Sequence, residues 1–355
     1  MNDGGPMPAT TKPFSRGLVL AAALCAGNAA ARAQGVEQFY KGRTVTMTIP
    51  AAPGGVNDLA SRLLARHLGK YIPGNPAIVA QNIPGGAGVV GANRMYNSAE
   101  KDGSVIAILD RGAPQVAILG DPNAKYDPAR FTWLGSISSY ADDAYIMAVN
   151  ATHPAKTVAD LGPSGVTLTL GGMNPGTTNL TFATLAKEVL GLNVRVVRGY
   201  TGAAPMFLAM QTGELDGQVI GLSALRAGQP AMWAEKRVRA LVQFGRATRL
   251  PELADAPTGR ELAKDAESLA MVEFAELPFF SALPYVAPPG VPADRAKALQ
   301  TAFMATMKDP AFVEGAKQLG LELSPIDGDA VRALVIRAAA TPKDVIARYS
   351  RIAGD

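Results

Sequence analysis

Two glycine-rich turns lie about 30 residues apart, and each follows a strand-like run and precedes a helix-like run. They read Pro53-Gly54-Gly55-Val56-Asn57-Asp58 and Pro84-Gly85-Gly86-Ala87-Gly88. The first N–H groups of a helix have no partner within the helix, and its dipole places about half a positive charge at that end. Helix N-termini of this kind bind small anions through the main chain. The two turns therefore indicate a protein that holds small anions.

Residue types that carry out catalysis are sparse in the rest of the chain. The two histidines, His67 and His153, stand 86 residues apart and have no partner at metal-ligand spacing. No Walker loop, G-x-S-x-G nucleophile turn or H-E-x-x-H zinc motif occurs. The adjacent carboxylates Asp142 and Asp143 fall in a loop, where such pairs are more often solvated than catalytic. We therefore predict no catalytic residue, no metal ligand and no cofactor.

One motif favours a different function. Residues 86–91 spell G-x-G-x-x-G after a strand-like run, and Asp110 ends the next such run about 20 residues on, as in a dinucleotide-binding fingerprint. This pattern would make the protein an NAD-dependent dehydrogenase. Against it, Asn82, Pro84 and Gly85 lengthen a turn that the fingerprint keeps tight. The enzyme is the less favoured alternative.

The N-terminus is built like an export signal. Residues 1–17 are polar, residues 18–24 are apolar, and residues 31–33 form a small-x-small cleavage site. We predict that residues 1–33 are a signal peptide, cleaved near Ala33, and that the mature protein is periplasmic. The apolar run is far shorter than the roughly 20 residues of a membrane span, and no later segment reaches that length without charge, proline or glycine. We expect no membrane span.

The composition further restricts the classes of protein to which the chain can belong. The only cysteine, Cys25, lies in the predicted signal, so the mature chain has no disulfide and no thiolate site. Removing the signal lowers the basic residues from 34 to 31 and the acidic ones from 30 to 29, which leaves a formal charge near +2. Such a weak bias gives no sign of a nucleic-acid partner. A mature chain of about 320 residues is too long for one small core and suggests two lobes.

Strand-like runs alternate with helical patterns in the first part of the mature chain, which predicts a mostly parallel α/β sheet. Strands are expected over 44–49, 77–81 and 105–109, and helices over 58–68 and 89–99. The first helix should bury one stripe of leucines, namely Leu59, Leu63, Leu64 and Leu68. Asn57 is its expected N-cap, and Asp58 should lie at the positive end of the helix dipole.

The second part repeats this architecture and ends in helices. Strands are expected over 146–149, 166–170, 193–197, 218–222 and 238–244, and helices over 177–190, 203–212, 292–307, 310–319, 329–337 and 341–352. A chain that crosses twice between two lobes would form a hinged cleft, and α/β sheets bind ligands at the carboxyl ends of their strands. We predict lobe 1 over residues 34–147 plus 244–355, and lobe 2 over residues 148–243.

Several short motifs of the mature chain are weak singly but specific in their order and spacing. They are Pro53-Gly54-Gly55 with Asp58, Asn82 to Gly88 with Gly91, Lys101-Asp102-Gly103-Ser104, Pro154 to Leu161, Gly199 to Pro205, Gly213-Glu214-Leu215-Asp216 and Pro288 to Pro292. In these motifs the sequence resembles the tripartite tricarboxylate transporter receptors, the periplasmic solute-binding proteins also called the Bug family. The resemblance extends over essentially the whole mature chain.

The resemblance implies an α/β, two-lobed periplasmic-binding-protein fold of the Venus flytrap type II, with a ligand cleft between the lobes. It also implies that the protein captures a small carboxylate and delivers it to the permease subunits of a tripartite membrane transporter. The ligand-binding residues that it implies are Gly54, Gly55, Val56, Asn57, Asp58, Arg111, Gly112, Ala113, Gly176, Thr177, Thr178, Asn179, Tyr200, Gly202 and Ala203. Helix N-termini that face each other would suit a dicarboxylate.

Two charged positions leave alternatives open. Asp58 is acidic in an anion site, so capping its helix or ordering water is its favoured role. Arg111 stands where many relatives have small hydroxyl residues, and it would either pair bidentately with a ligand carboxylate or only shape the lobe by bonding Asp110, Asp142 or Asp143.

Other features of the function also stay open. Tyr200 is expected either to cover the ligand or to form the cleft wall. A receptor that reports its occupancy to a signalling partner is the alternative to a transport receptor, because both need only the closed, liganded form. The ligand could be a C4 dicarboxylate, a citrate-like tricarboxylate, an aromatic carboxylate or a neutral amide. We expect a monomer.

Overall fold

The structure is a computed structural model that describes residues 35–354 together with Met1. The rest of the predicted signal peptide, residues 1–33, lies outside the described residues. The described chain is an α/β protein with two separate mixed sheets and helices packed on both. This confirms the predicted fold class.

The strands and helices alternate along most of the chain. The strands are β1 (Thr44–Ile49), β2 (Ala77–Asn82), β3 (Val105–Ile108), β4 (Thr132–Ser136), β5 (Tyr145–Asn150), β6 (Leu168–Gly171), β7 (Val194–Val197), β8 (Gly217–Gly221), β9 (Val238–Phe244), β10 (Pro284–Ala287) and β11 (Ile326–Asp327). The α-helices are α1 (35–40), α2 (Val56–Leu68), α3 (Val89–Asn97), α4 (Ala113–Ile118), α5 (Thr178–Glu188), α6 (Ala203–Thr212), α7 (Leu222–Gly228), α8 (Pro230–Ala234), α9 (Gly259–Leu262), α10 (Ala266–Phe280), α11 (Ala293–Thr306), α12 (Pro310–Gln318), α13 (Gly328–Ala339) and α14 (Lys343–Gly354).

The first sheet has six strands in the order β11-β4-β10-β3-β1-β2. Strand β1 is parallel to both β2 and β3. Strand β10 comes from the C-terminal part of the chain and lies antiparallel between β3 and β4. Because β1, β2 and β3 run in the same direction, their carboxyl ends meet at one edge of the sheet.

The second sheet has five strands in the order β7-β6-β8-β5-β9. Strand β6 is parallel to β7 and β8, whereas β5 is antiparallel to β8 and β9. The start of β5 therefore lies beside the ends of β8 and β9, and Tyr145 is opposite both Gly221 and Phe244. This edge is the carboxyl end of four of the five strands.

Each sheet has its own apolar core. Under the first sheet, Met47, Leu63 and Phe303 are fully buried. Helix α12 lies so close to α2 that a Cβ on Gly315 would be 2.6 Å from the Leu63 side chain. In the second core, the rings of Phe182 and Phe244 stack with centroids 4.6 Å apart. Full burial of one side chain of this kind contributes about 1.5–3 kcal/mol.

Several regular elements are placed as predicted. Strands β1 and β9 and helix α6 begin and end at the predicted residues. Two details that the sequence predicted for α2 are wrong. The helix begins at Val56, so Gly55 and not Asn57 is its N-cap. Leu59 is 38% exposed, because it lies at the margin of the buried face of α2, whose centre is formed by Ala60, Leu64 and Leu68.

Helix α10 is the largest element that sequence patterns did not predict. It lies in the crossing segment between β9 and β10 and contacts α13, α14, α4 and α5. A helix with neighbours on several sides is apolar around most of its circumference, and α10 buries the successive residues 274–279. It therefore lacks the one-sided period that marks a surface helix.

The chain passes between the sheets twice, over residues 137–144 and 245–283. The predicted lobe boundaries, 147/148 and 243/244, fall inside β5 and β9 of the second sheet. The last helix, α14, packs on α5 of the second sheet as well as on α10. The division into lobes stays a prediction. Within residues 35–354, no helix is long and apolar enough to cross a membrane.

Candidate functional site

Three turns come together at the carboxyl edge of the first sheet. They follow β1, β2 and β3. A Cβ on Gly91 would lie 2.6 Å from the Cβ of Pro50, and a Cβ on Gly88 would lie 2.9 Å from the Cβ of Asp110. These two glycines let the turn after β2 approach both neighbours, so all three turns form one continuous rim.

Asp58 organises the first turn, residues 53–58. Its carboxylate accepts hydrogen bonds from the Gly54 N–H at 2.9 Å, from Arg62 Nε at 2.9 Å and from Asn82 Nδ2 at 2.8 Å. Asn82 Nδ2 also donates to the Ala51 carbonyl at 3.0 Å. The bond from Arg62 is the largest cause that lowers the pKa of Asp58 to about 2. Asp58 is 3% exposed, so its side chain shapes the turn, and only its main chain remains for a ligand.

The outer face of the first turn is open. Gly54, Gly55 and Val56 are exposed, and Asn57 is half-buried. A Cβ on Gly54 or Gly55 would meet no atom within 4 Å. Gly54 has a φ of +88°, which favours glycine, whereas Gly55 has an ordinary extended backbone with a φ of −81°. The start of α2 therefore faces open space.

The arginine turn, residues 110–113, is held by its own aspartate. Asp110 Oδ1 accepts from the Gly112 N–H at 2.9 Å, and the Asp110 carbonyl accepts from the Ala113 N–H at 2.9 Å. Ala113 is 3% exposed, and Gly112 is half-buried. The two N–H groups are used within the turn, so the side chain of Arg111 is its available donor.

Arg111 points toward the second sheet. Its guanidinium carbon lies 4.8 Å from the centre of the Phe279 ring. Burial lowers the pKa of Arg111, but interactions with the hydroxyl groups of Tyr145 and Tyr140 outweigh burial and raise it. Tyr145 begins β5 beside the ends of β8 and β9. The arginine turn thus brings the carboxyl edges of the two sheets into contact.

Two of the three alternative partners of Arg111, Asp110 and Asp143, bond elsewhere. Asp143 accepts from Ser223 Oγ at 2.5 Å and from the Ala144 and Ser223 N–H groups. The Asp110 carboxylate bonds its own turn. Within the described chain, Arg111 forms no ion pair with a carboxylate.

The amide turn, residues 172–179, is the counterpart of the first turn in the second sheet. Asn179 is 3% exposed; its Oδ1 accepts from the Met173 N–H at 3.1 Å, and its Nδ2 donates to the Val219 carbonyl at 2.6 Å. The Gly176 N–H donates to the Ala353 carbonyl of α14 at 3.0 Å. Thr177 and Thr178 are half-buried at the start of α5. The Asn179 side chain and the Gly176 N–H are therefore already used.

The Tyr200 turn, residues 199–203, precedes α6. The Tyr200 hydroxyl donates to Glu214 Oε1 at 2.6 Å, and this bond is the main cause that raises its pKa to about 12. Gly202 is the N-cap of α6, and a Cβ there would meet no atom within 4 Å. Ala203 is half-buried. The start of α6 is open in the same way as the start of α2.

Sequence patterns gave no sign of a buried arginine between the two crossing segments. Arg246 is 8% exposed, and its Nη1 donates to the carbonyls of Tyr140 at 3.1 Å, Ala141 at 2.7 Å and Asp143 at 2.7 Å. Burial lowers its pKa. The partners lie about 100 residues away in the chain, so only the fold brings them together.

The G-x-G-x-x-G segment does not follow its strand directly. Strand β2 ends at Asn82, and Gly86–Gly88 form a separate 3₁₀ turn in which Ala87 has a φ of 49°. Asp110 bonds the Gly112 N–H and so closes its own turn. In residues 35–354, no group of three or more His, Cys, Asp or Glu side chains is placed to hold a metal.

Sequence comparison decides the family. A sequence model of the tripartite tricarboxylate transporter family receptor matches residues 61–350. The chain belongs to this family. Its members are periplasmic solute-binding receptors and not enzymes. One relative is a Pseudomonas sp. (strain P51) protein from the tcbD-tcbE intergenic region, which is 27% identical over 316 residues, or 84% of each chain.

Solved structures confirm the two-lobed periplasmic-binding-protein fold. A solute-binding protein of the same family from Polaromonas, without ligand, has a TM-score of 0.68 at 18% identity and covers 87% of this chain and 99% of its own. A protein from R. palustris with adipate has a TM-score of 0.54 at 23% identity and covers 88% of this chain and 98% of its own. At these identities the likeness concerns the fold alone.

Proposed function

We propose that the protein is an extracytoplasmic receptor that captures a small carboxylate between its two lobes and delivers it to a tripartite tricarboxylate-type membrane transporter. The observation that carries this proposal is the position of Arg111, whose guanidinium carbon lies 4.8 Å from the centre of the Phe279 ring, which in turn lies 4.8 Å from the Tyr145 ring. Tyr145 begins β5 at the carboxyl edge of the second sheet, so the arginine turn links the carboxyl edges of both sheets. Ligands of α/β proteins bind at such edges. The open starts of α2 and α6 lie at these same edges and leave N–H groups for an anion.

The proposed ligand contacts divide into main-chain and side-chain groups. The main chain donates at Gly55, Val56, Asn57, Asp58, Thr178, Asn179, Gly202 and Ala203. The N–H groups of five further residues already bond within the protein, so these residues line the site without donating from the main chain: Gly54, Gly112, Ala113, Gly176 and Thr177. Of the donating residues, Gly55 and Gly202 are best supported, because their surroundings are open. Arg111 acts through its side chain. Tyr200 belongs to the cleft wall, because its hydroxyl already bonds Glu214.

Adipate in the R. palustris neighbour makes dicarboxylates the first class to test. We also propose that the lobes comprise residues 34–147 plus 244–355 and residues 148–243. In this account the protein is a periplasmic monomer released from its signal near Ala33. It binds permease subunits in its closed form, and it has no catalytic role.

A thermal-shift screen of residues 34–355 tests this function. The panel contains acetate, succinate, adipate, citrate, benzoate, amino acids and NAD. A ligand that binds only the folded state increases the free energy of unfolding, by about 2.7 kcal/mol at a hundredfold excess over Kd. The melting temperature rises as a result. We expect a shift with at least one carboxylate and none with NAD. A shift with NAD and with no acid would instead favour the dehydrogenase.

A further inference from the structure

Three side chains surround the Phe279 ring where the two sheets meet. The Arg111 guanidinium carbon is 4.8 Å from the ring centre, the Tyr145 ring centre is 4.8 Å away, and the Tyr140 ring centre is 5.2 Å away. The two tyrosine rings are 6.3 Å apart. Phe279 itself is buried, whereas Arg111, Tyr140 and Tyr145 are half-buried. The cluster thus gathers one guanidinium and two tyrosine side chains around one aromatic ring.

The charge of Arg111 has no counter-ion in the described chain. Its polar interactions are with the hydroxyl groups of Tyr145 and Tyr140, and neither group is a carboxylate. Burial raises the pKa of Tyr140 to about 12, so this hydroxyl keeps its proton. A half-buried charge without an opposite charge is costly. An anionic ligand would remove that cost.

Hydrogen-bond chemistry determines which group completes the cluster. A guanidinium only donates, and a tyrosine hydroxyl that accepts from it still has its own proton to donate. All three groups therefore offer donors to a ligand. A carboxylate has two oxygens that only accept, whereas a primary amide has an NH₂ group that would face another donor.

The backbone of Tyr140 is held in a costly conformation. Its φ is +56°, a left-handed value that is an outlier for a bulky residue. Arg246 Nη1 bonds the Tyr140 carbonyl at 3.1 Å and so fixes this conformation. Strain of this kind persists where the surroundings require it, and it concentrates at binding sites. It aims the Tyr140 side chain at Phe279.

We propose that Arg111, Tyr140 and Tyr145 form a subsite that binds one ionised carboxylate group of the ligand and excludes the corresponding amide. Tyr140 and Tyr145 are thus specificity-determining residues. The proposal rests on the proposed receptor function. It decides between an acidic and a neutral ligand, which the sequence left open.

Calorimetric titration of the mature protein tests the subsite. The titrants are acetate, succinate, adipate, citrate and benzoate, followed by the primary amide of each acid that binds. We expect the amide to bind at least about tenfold more weakly than its acid. Arg111→Gln should weaken the acid about a hundredfold, and Tyr140→Phe and Tyr145→Phe about tenfold each, as for the loss of hydrogen bonds to a charged group. None of these variants should weaken the amide.

Two control variants separate binding from folding. Tyr96→Phe removes a hydroxyl at the far end of α3 and should leave the affinity unchanged. Arg111→Lys keeps the charge and should recover part of the affinity lost in Arg111→Gln. An acid that binds the wild type and all three cluster variants equally would overturn the subsite and leave the receptor function standing. If no acid binds the wild type, both proposals fail.

Discussion

The first turn and the amide turn perform the same task with different chemistry. Each presents the start of a helix at the carboxyl edge of its sheet. In the first sheet, a buried carboxylate, Asp58, gathers Gly54, Arg62 and Asn82. In the second sheet, a neutral amide, Asn179, bridges Met173 and Val219. One lobe thus relies on a charge, and the other does not.

This difference has a physical reason. Around Asp58 every partner is a donor, so an ionised acceptor satisfies all of them. Around Asn179 one partner is an N–H and the other is a carbonyl, so a group that both donates and accepts is needed. The partners, not the position in the fold, decide which residue type fits. The two side chains should therefore not be interchangeable.

The exchange Asn179→Asp should have the largest effect. The introduced carboxylate would face the Val219 carbonyl in a buried site, so we expect a loss of about 3 kcal/mol in the free energy of unfolding at pH 7. Urea unfolding measures it. The loss should shrink toward low pH, because a protonated carboxyl can donate to that carbonyl. An unchanged midpoint would show that the amide turn does not depend on these bonds.

The reverse exchange, Asp58→Asn, should cost less, about 2 kcal/mol. The amide oxygen can still accept from Arg62 and Asn82, but the NH₂ group would oppose the Gly54 N–H. The same urea titration compares both variants. If Asp58→Asn costs more than Asn179→Asp, the contrast between the two turns is wrong.

Acid should weaken the first turn before the amide turn. The folded pKa of Asp58, about 2, is below the ordinary value of 3.8, so its contribution is present above pH 3.8 and is lost as pH falls toward 2. Hydrogen exchange between pH 4 and 2 should show early opening at residues 53–58 and later opening at residues 172–179. Simultaneous opening of both turns would contradict this difference.

Glu276, in the crossing segment 245–283, should have a smaller effect on the pH dependence of stability, and its sign is opposite to that of Asp58. Glu276 is fully buried and accepts from the Gly245 N–H and from Arg260 Nε. Burial raises its pKa to about 7, above the ordinary value of 4.5. The folded state therefore binds the proton more tightly, and stability should fall as pH rises from about 4.5 to 7. In the variant Glu276→Gln, the melting temperature should therefore depend less on pH in this window. An unchanged slope would show that Glu276 does not cause the loss of stability.

Sequence patterns identified what depends on neighbours along the chain. Residue types and the turns that flank them located β1, α6 and β9 to the residue. The partners of Asp58 were not predictable, because Asn82 reaches it only once β1 and β2 pair. The cluster around Phe279 depends on α10, which lacks a one-sided apolar pattern. Sequence patterns therefore predicted the turns that contain the candidate residues. The partners of these residues became visible only in the folded structure.

The central claim is that one carboxylate ligand contacts both sheets. Gly55→Leu and Gly202→Leu each place a side chain in open space at a helix start, without the left-handed backbone that would strain the fold. Gly228→Leu, at the last residue of α7, is the matched control. The affinity for the acid with the largest thermal shift is measured by calorimetry. We predict that both site variants weaken it at least about tenfold, while melting temperatures and the control stay unchanged. Wild-type affinity in either site variant would contradict a ligand held from both sheets.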